Sequence, residues 1–392
     1  MTAVRRVLIQ GAGIGGLAAA TAMAQRGIDV HVVEGEGRTA VAGVGLNQPQ
    51  NALDALEKIG VKQACLDVGF PFEDLVMWNT NGDKVMAIPP VKGLYGFPSN
   101  NAIGRPVYYD ILKSAAEAAG ARITIGRTID TMTQDADGVD VTFARWVGRH
   151  EDPEPDPDAP VERYDLVVGF DGVRSSVRNA IFGDKYTPTF SGSGIWRATI
   201  PRPDYLTEVT LVMAPGNVKA VLTPISATHM YFGLVTPEPG NPRHRPEDFV
   251  RDIRERTSSF TGRLAELRDT VSDDSIAVYT ALEHVVVREP WFQGRIAIAG
   301  DAAHASPPHL SQGAAQALED AVTLAEHLET SDDLDDALNA WYRRRHDRTY
   351  LVADMSLAIL KSETGSELTE SEKSLIALGA PGALVKIATE PY

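Results

Sequence analysis

Three stretches of this chain carry residues whose types and spacing fit a nucleotide-cofactor site. The first is Gly11-Ala12-Gly13-Ile14-Gly15-Gly16, directly after the apolar run Val7-Leu8-Ile9. A strand that turns through glycines into a helix lays a pyrophosphate on the helix's N-terminal N–H groups. Here Gly11 would make the tight turn, Gly13 would let backbone approach phosphate, and Gly16 would let the helix pack on the strand. Residues 28–33 then read as a second strand ending in Glu34. A carboxylate at that place accepts from a ribose hydroxyl pair and favours an unphosphorylated ribose. The glycine pattern alone is weak; strand, glycines, helix, strand and acid in that order make it specific.

The second stretch, Gly169-Phe170-Asp171-Gly172, follows another buried strand and opens a helix. The third runs from Gly300-Asp301-Ala302-Ala303-His304 to Pro308-His309-Leu310-Ser311-Gln312-Gly313-Ala314-Ala315 and leads into a helix that carries Glu319-Asp320. An Asp placed directly after a strand can accept from sugar or sugar-alcohol hydroxyls while the next helix N-terminus faces phosphate or a ring carbonyl. Asp171 alone reads equally as a helix cap and Asp301 alone as a turn residue. Together with the first glycines they point to a bound dinucleotide.

The elements that must hold these residues follow from periodicity. A helix over residues 47–59, a hairpin over 74–88, a helix over 108–119 and strands near 123–129 and 139–143 are expected. Residues 151–158, with Pro alternating with acids, read as an exposed connection. Strand-rich sequence fills 196–235, residues 246–267 look helical, and helices cover 313–328 and 334–360. The expected fold is α/β: a Rossmann-like nucleotide domain (1–73, 101–184 and 291–330) interrupted by a β-sheet substrate domain (74–100 and 185–290), with a C-terminal helical segment (331–392).

The 392 residues suffice for about two domains, and 43% hydrophobic with 23% charged residues is a globular balance. A net charge of -16 and a pI near 5.0 argue against nucleic-acid and anionic-membrane partners. The single Cys65 excludes an internal disulfide and a thiolate metal cluster, so no metal is expected and a reducing cytoplasm fits. Arg5-Arg6 before small apolar residues looks like a twin-arginine leader, but cleavage there would destroy a complete strand–glycine–helix unit.

With these motifs assembled, the chain resembles the single-component flavoprotein aromatic hydroxylases, the family of para-hydroxybenzoate, salicylate, 3-hydroxybenzoate and 6-hydroxynicotinate monooxygenases. The resemblance extends to about residue 350 and includes Ala42-Gly43-Val44-Gly45 and Gly104-Arg105. It implies FAD, with NADH or NADPH as co-substrate. Gly11, Gly13 and Gly16 would hold the pyrophosphate, Glu34 the adenosine ribose, and Arg105 the flavin or pyrophosphate region. Asp171 would support FAD and reductant use, Gly300 and Asp301 the ribityl–phosphate part, and Gly313, Ala314 and Ala315 the pyrimidine edge of the ring. Relatives carry Gly where Leu310 or Ser311 stands and Asn where Ala315 stands. The implied reaction is hydroxylation of a small aromatic or heteroaromatic substrate by O2 through a flavin C4a-hydroperoxide, in a monomer or homodimer.

Substrate contacts are expected from the β-rich insertion, with Trp196, Met213, Leu222 and Tyr231, and also Pro224 and Tyr279, as wall residues. Pro308 and His309 lie between the Gly-Asp segment and the flavin-edge glycine, so His309 is the expected general base; its imidazole titrates near neutral pH. His304 reads as structural and His229 as a weaker base. A flavin-dependent halogenase or oxidase on the same fold, and a non-catalytic FAD-binding protein, remain as alternatives. Trp196-Arg197-Ala198-Thr199-Ile200-Pro201 echoes part of the halogenase segment but lacks its tryptophan pair.

Overall fold

The apolar run at residues 7–9 lies at the centre of a six-stranded sheet. The computed structural model describes residues 4–36, 44–73, 75–88, 100–148, 151–156, 158–389 and 392. Strand Arg6–Gln10 pairs in parallel with Asp29–Glu34 on one side and Leu166–Gly169 on the other. Arg122–Ile125 extends the sheet beyond Asp29–Glu34, and Ile296–Ile298 extends it beyond Leu166–Gly169, both in parallel; only the two-residue strand Phe292–Gln293 runs the other way. The inner strands are buried on both faces, which is why they read as continuous apolar runs. Helix Ile14–Ala24 is buried along nearly its whole length between this sheet and helices Arg105–Ala118 and Gly313–Thr330. Because the strands are parallel, Gly11, Glu34, Phe170-Asp171 and Gly300-Asp301 all leave from the same edge of the sheet. That edge is where open α/β sheets bind ligands.

The insertion forms a seven-stranded sheet in the order Ala277–Val286, Thr189–Pro201, His229–Pro237, Val218–Pro224, Val209–Ala214, Leu75–Trp78, Lys84–Ile88. One face packs Trp196, Ala198, Leu222, Phe232 and Leu234 against Ile253 and Leu264 of helices Phe249–Arg256 and Gly262–Thr270. Residues one step along each strand point the other way. On that second face Tyr231, Val209 and Ile225 pack against Val44, Phe72 and Ala102, so it looks towards the nucleotide-binding half.

The structure breaks two elements that periodicity joins. The strand expected over 123–129 is split at Gly126, whose φ of 81° turns the chain from the six-stranded sheet into Arg127–Gln134 of a separate four-stranded one. The helix expected over 246–267 is two helices, the second beginning at Gly262 with φ 51°. Glu154–Pro155, within the acidic connection, pairs briefly with Ala144-Arg145 at a sheet edge, where proline is tolerated. Helix Leu334–Glu363 lies along Gly313–Thr330, and Glu370–Thr389, kinked at Gly379, packs back on it. The hairpin is Leu75–Trp78 with Lys84–Ile88; its expected first residue, Asp74, and Ala42-Gly43 lie outside the described residues. No described helix is long and apolar enough to cross a membrane.

Candidate active site

Each glycine of the first turn has a different reason to lack a side chain. Gly11 has φ 105°, and a Cβ there would sit 2.4 Å from the Phe170 carbonyl oxygen. A Cβ on Gly16 would fall 1.9 Å from the Gly11 carbonyl oxygen, so helix and turn could not close. A Cβ on Gly13 would meet nothing within 4 Å. Gly13 precedes the first turn of Ile14–Ala24, whose leading N–H groups have no partner within the helix. The protein's own packing therefore explains Gly11 and Gly16, while Gly13 borders open space. That is the shape of a cradle for a pyrophosphate.

Glu34 braces the turn. The Ala12 N–H donates to its Oε2 and the Glu36 N–H to its Oε1, each at 2.8 Å. A carboxylate has about four lone-pair directions, so both oxygens keep capacity for ribose hydroxyls. Burial raises its pKa, and the nearby Asp171 adds to the rise. Asp171 is divided in its duties. Its Oδ2 accepts from the Ser176 N–H (2.8 Å), the Ser176 hydroxyl (3.1 Å) and the Val177 N–H (3.1 Å), capping helix Ser176–Phe182. Its Oδ1 is buried without a protein partner. Arg178, fully buried, ties this segment to the next acid's turn by donating to the carbonyls of Val173 and Ala302 at 2.8 and 3.0 Å.

At the third segment Gly300 has φ 57° and starts the single helical turn Asp301–His304. The Asp301 carboxyl is solvent-exposed yet enclosed enough that desolvation raises its pKa, against the pull of His304 and Arg105. A Cβ on Gly313 would lie 3.9 Å from Asp301 Oδ1, so this carboxylate and the N-terminus of the 18-residue helix Gly313–Thr330 converge. Gly313 and Ala314 are partly exposed there, whereas the Ala315 side chain packs in the core and leaves only its N–H to the cleft. The left-handed turn before the helix is made by Ser311, φ 54°.

The opposite wall is the second face of the seven-stranded sheet, and its register corrects several expected wall residues. Trp196 and Leu222 are fully buried on the helix-covered face, with Tyr279 packed beside them. The Trp196 indole N–H donates to Thr236 and Glu238 at 2.9 and 3.0 Å. Pro224 shares the parity of Leu222. These residues are core, and a one-residue shift along a strand is all that separates the two roles. Met213 alternates with the core residue Val212 and is 42% exposed. Tyr231 is on the cleft face, its ring lying over Gly233, where a Cβ would be 2.4 Å from the ring. Burial raises the Tyr231 phenol's pKa.

Beside Tyr231 stands Arg197, which sequence reasoning did not single out. Its Nη2 donates to the Thr280 hydroxyl at 2.6 Å, its buried Nε has no partner, and no carboxylate pairs with it among the described residues. Desolvation lowers its pKa, and the nearby Arg105 lowers it further. The strand's alternation, with Trp196, Ala198 and Ile200 inward and Arg197 and Thr199 outward, was the available signal.

His309 is tied to the C-terminal helix. Its side chain is 1% exposed, and its Nε2 lies 3.2 Å from Glu363 Oε2. Lys219 Nζ, from the cleft face of the sheet, donates to Glu363 Oε1 at 2.7 Å. Burial lowers the His309 pKa, with Lys219 acting the same way and Glu363 opposing. Pro308, one residue earlier, is exposed. His304 is buried against Asp320 Oδ2 at 2.6 Å, and His229 is exposed at a hairpin end.

Comparison with known proteins agrees with this geometry. A family model described as an FAD binding domain matches residues 5–354. The chain is 33% identical to YetM of Bacillus subtilis (strain 168), over 93% of this chain and 96% of that one. It is 31% identical to a 2-heptyl-3-hydroxy-4(1H)-quinolone synthase of Pseudomonas aeruginosa, over 81% and 79%. Among solved structures it resembles the tetrameric form of 2-methyl-3-hydroxypyridine-5-carboxylic acid oxygenase, with 26% identity, a TM-score of 0.75 and 97% of each chain covered.

Proposed function

The chain belongs to the single-component FAD-binding aromatic hydroxylase family and is an FAD-dependent monooxygenase of aromatic substrates; from that premise we propose that its own substrate is a small aromatic or heteroaromatic acid, hydroxylated at the expense of NADH or NADPH. The observation that carries the substrate class is Arg197. A desolvated guanidinium without a carboxylate partner is costly unless a ligand supplies the anion. Arg197 and Tyr231 together would grip a carboxylate or ring oxyanion and orient the ring towards the cofactor. The oxygenase of 2-methyl-3-hydroxypyridine-5-carboxylic acid is named for a compound with both a ring hydroxyl and a carboxylate, which supports the same class.

The residues present fit FAD. Gly11, Gly13 and Gly16 form the cradle for its pyrophosphate, Glu34 keeps acceptors for the adenosine ribose, and the unpartnered Asp171 Oδ1 is an acceptor nearby. Asp301 and Arg105 would meet the ribityl–phosphate part, and the N–H groups of Gly313, Ala314 and Ala315 would meet the ring's pyrimidine edge. When bound, FAD takes electrons from the nicotinamide co-substrate and activates O2. The protein's own share is to bind, orient and keep water out. Pro308, which is exposed, would wall the reacting ring. The His309 ring is buried against Glu363 with neither nitrogen open to the cleft, so the base role expected from its place in the sequence is not carried over to it.

A panel of hydroxylated aromatic acids, with neutral partners lacking the acid group, tests this reading. NADH and NADPH oxidation, peroxide release and product mass are measured for each. Acids should stimulate oxidation at least about tenfold more than their neutral partners and yield products with one added oxygen atom. Equal stimulation by the neutral compounds would remove the role given to Arg197.

A further inference from the structure

Behind the cofactor-facing turns lies a buried charge cluster that the proposed chemistry does not use. Glu319, Asp320 and Arg345 are fully buried, and Arg348 and His304 nearly so. Arg345, from helix Leu334–Glu363, donates through Nε to Asp320 Oδ1 at 2.8 Å, through Nη1 to Glu319, and through Nη2 to Gln316 Oε1 at 2.8 Å. Arg348 donates twice more to Glu319, at 2.7 and 2.8 Å. Two carboxylates thus face two guanidiniums. Burial pushes the Asp320 carboxyl up, but His304 and Arg345 hold it down at about 2.

The two carboxylates also bond towards the cofactor-facing turns. Asp320 Oδ2 accepts from the Gly300 N–H at 3.0 Å and lies 2.6 Å from His304 Nε2. One oxygen therefore brackets both ends of the turn that carries Asp301. Glu319 Oε1 accepts from Asn51 Nδ2 at 2.5 Å, and the same nitrogen donates to Gln312 Oε1 at 2.9 Å. Gln312 Nε2 returns a bond to Asn51 Oδ1 at 3.2 Å. Gln312 is the residue before the helix N-terminus at Gly313. An apolar core would join these helices at least as stably. What the charges add is direction, because each carboxylate oxygen selects particular donors.

We propose that Arg345, Glu319, Asp320 and Asn51 are positioning residues for FAD: through them the C-terminal helix sets the Gly300-Asp301 and Gln312-Gly313 turns at one fixed separation. The C-terminal helix then belongs to the cofactor site through the turns that it holds in place. This rests on the reading that Asp301 and Gly313 face FAD.

The test is FAD titration of the full-length apoprotein, followed by flavin fluorescence and the visible absorption band, alongside melting of the same apoproteins. Asn51→Leu breaks the Gln312 clamp without removing a charge, and Arg345→Lys keeps the charge but cannot reach three partners at once. Leu324→Ala, in the core of helix Gly313–Thr330 that carries Glu319 and Asp320, serves as the destabilised control. Asn51→Leu and Arg345→Lys should weaken FAD binding about tenfold or more and shift the flavin band. Leu324→Ala, at equal or greater loss of melting temperature, should stay within about twofold of the parent. FAD affinity that merely follows melting temperature across all three variants would overturn the proposal. Should Arg345→Lys fail to fold, Asn51→Leu and the milder Asn51→Ser decide it. Asp301→Asn separates the two readings: if it leaves FAD affinity unchanged, the contact assignment fails, whatever the clamp does.

Discussion

At the glycine turn, position is set by backbone. Gly11 needs its φ of 105°, Gly16 needs contact with the Gly11 carbonyl, and Gly13 borders open space before a helix. On the cleft face of the seven-stranded sheet, position is set by side chains two apart on long antiparallel strands: Arg197 on one strand, Tyr231 and Gly233 on the next. The first region depends on which atoms are missing, the second on which side chains lie on the right side of a register. A single added methyl at Gly11 or Gly16 should ruin the first. The second should tolerate such changes on its helix-covered side and lose recognition only through changes on its cleft side.

The largest effect expected is that of Gly16→Ala. The added Cβ would meet a backbone oxygen at 1.9 Å, with no flexible side chain to give way. The strand–helix turn must open, at roughly 4 kcal/mol or more, and FAD binding should be lost within the reach of titration. Recovery of FAD affinity near that of the parent would show that the close helix–strand approach is dispensable.

Next comes a pair that separates the two sides of the sheet. Arg197→Met removes a desolvated cation and leaves Thr280, which is exposed, free to bond with water. Its melting temperature should hold or rise while KM for an acidic substrate climbs about 100-fold, the scale of a lost charge-assisted pair. Leu222→Ala empties part of the fully buried face and should cost about 2–4 kcal/mol of stability, with KM nearly unchanged. The comparison breaks if the two variants exchange these signatures.

How much of this was readable beforehand follows from the same contrast. The glycine turn is written in neighbouring residues, so Gly11, Gly13, Gly16 and Glu34 stand out together, and Asp171 and Asp301 stand out because each follows its own apolar run. The sheet wall is not written locally. Both of its faces are largely buried, so Ile195 beside Trp196 blurs the alternation that sets Arg197 and Thr199 outward, and nothing local tells which face Trp196 and Leu222 take. In the sequence Arg197 is one residue of Trp196-Arg197-Ala198-Thr199-Ile200-Pro201, with no charged neighbour there to mark it. Likewise nothing local marks Arg345 and Arg348, because their partners Glu319 and Asp320 lie more than twenty residues away on another helix. The breaks at Gly126 and Gly262 were hidden because each glycine interrupts an otherwise regular pattern with a single left-handed residue.

The smallest expected effect is the most discriminating. Gly13 has φ −75° and ψ −173°, which alanine adopts without strain, and a Cβ there meets nothing within 4 Å. Gly13→Ala should therefore leave the apoprotein within about 1 kcal/mol of the parent, the modest cost of alanine at a helix N-cap. The reason for glycine at that place must then lie in what occupies the open space. A methyl group pointing into a phosphate-sized gap should weaken FAD binding about tenfold, through lost approach of the helix N–H groups to the pyrophosphate. Differential melting with and without FAD measures both quantities in one preparation. An apoprotein as stable as the parent with a smaller FAD-induced rise would assign Gly13 to the ligand and Gly16 to the fold. An undiminished rise would mean that the pyrophosphate lies elsewhere along the turn.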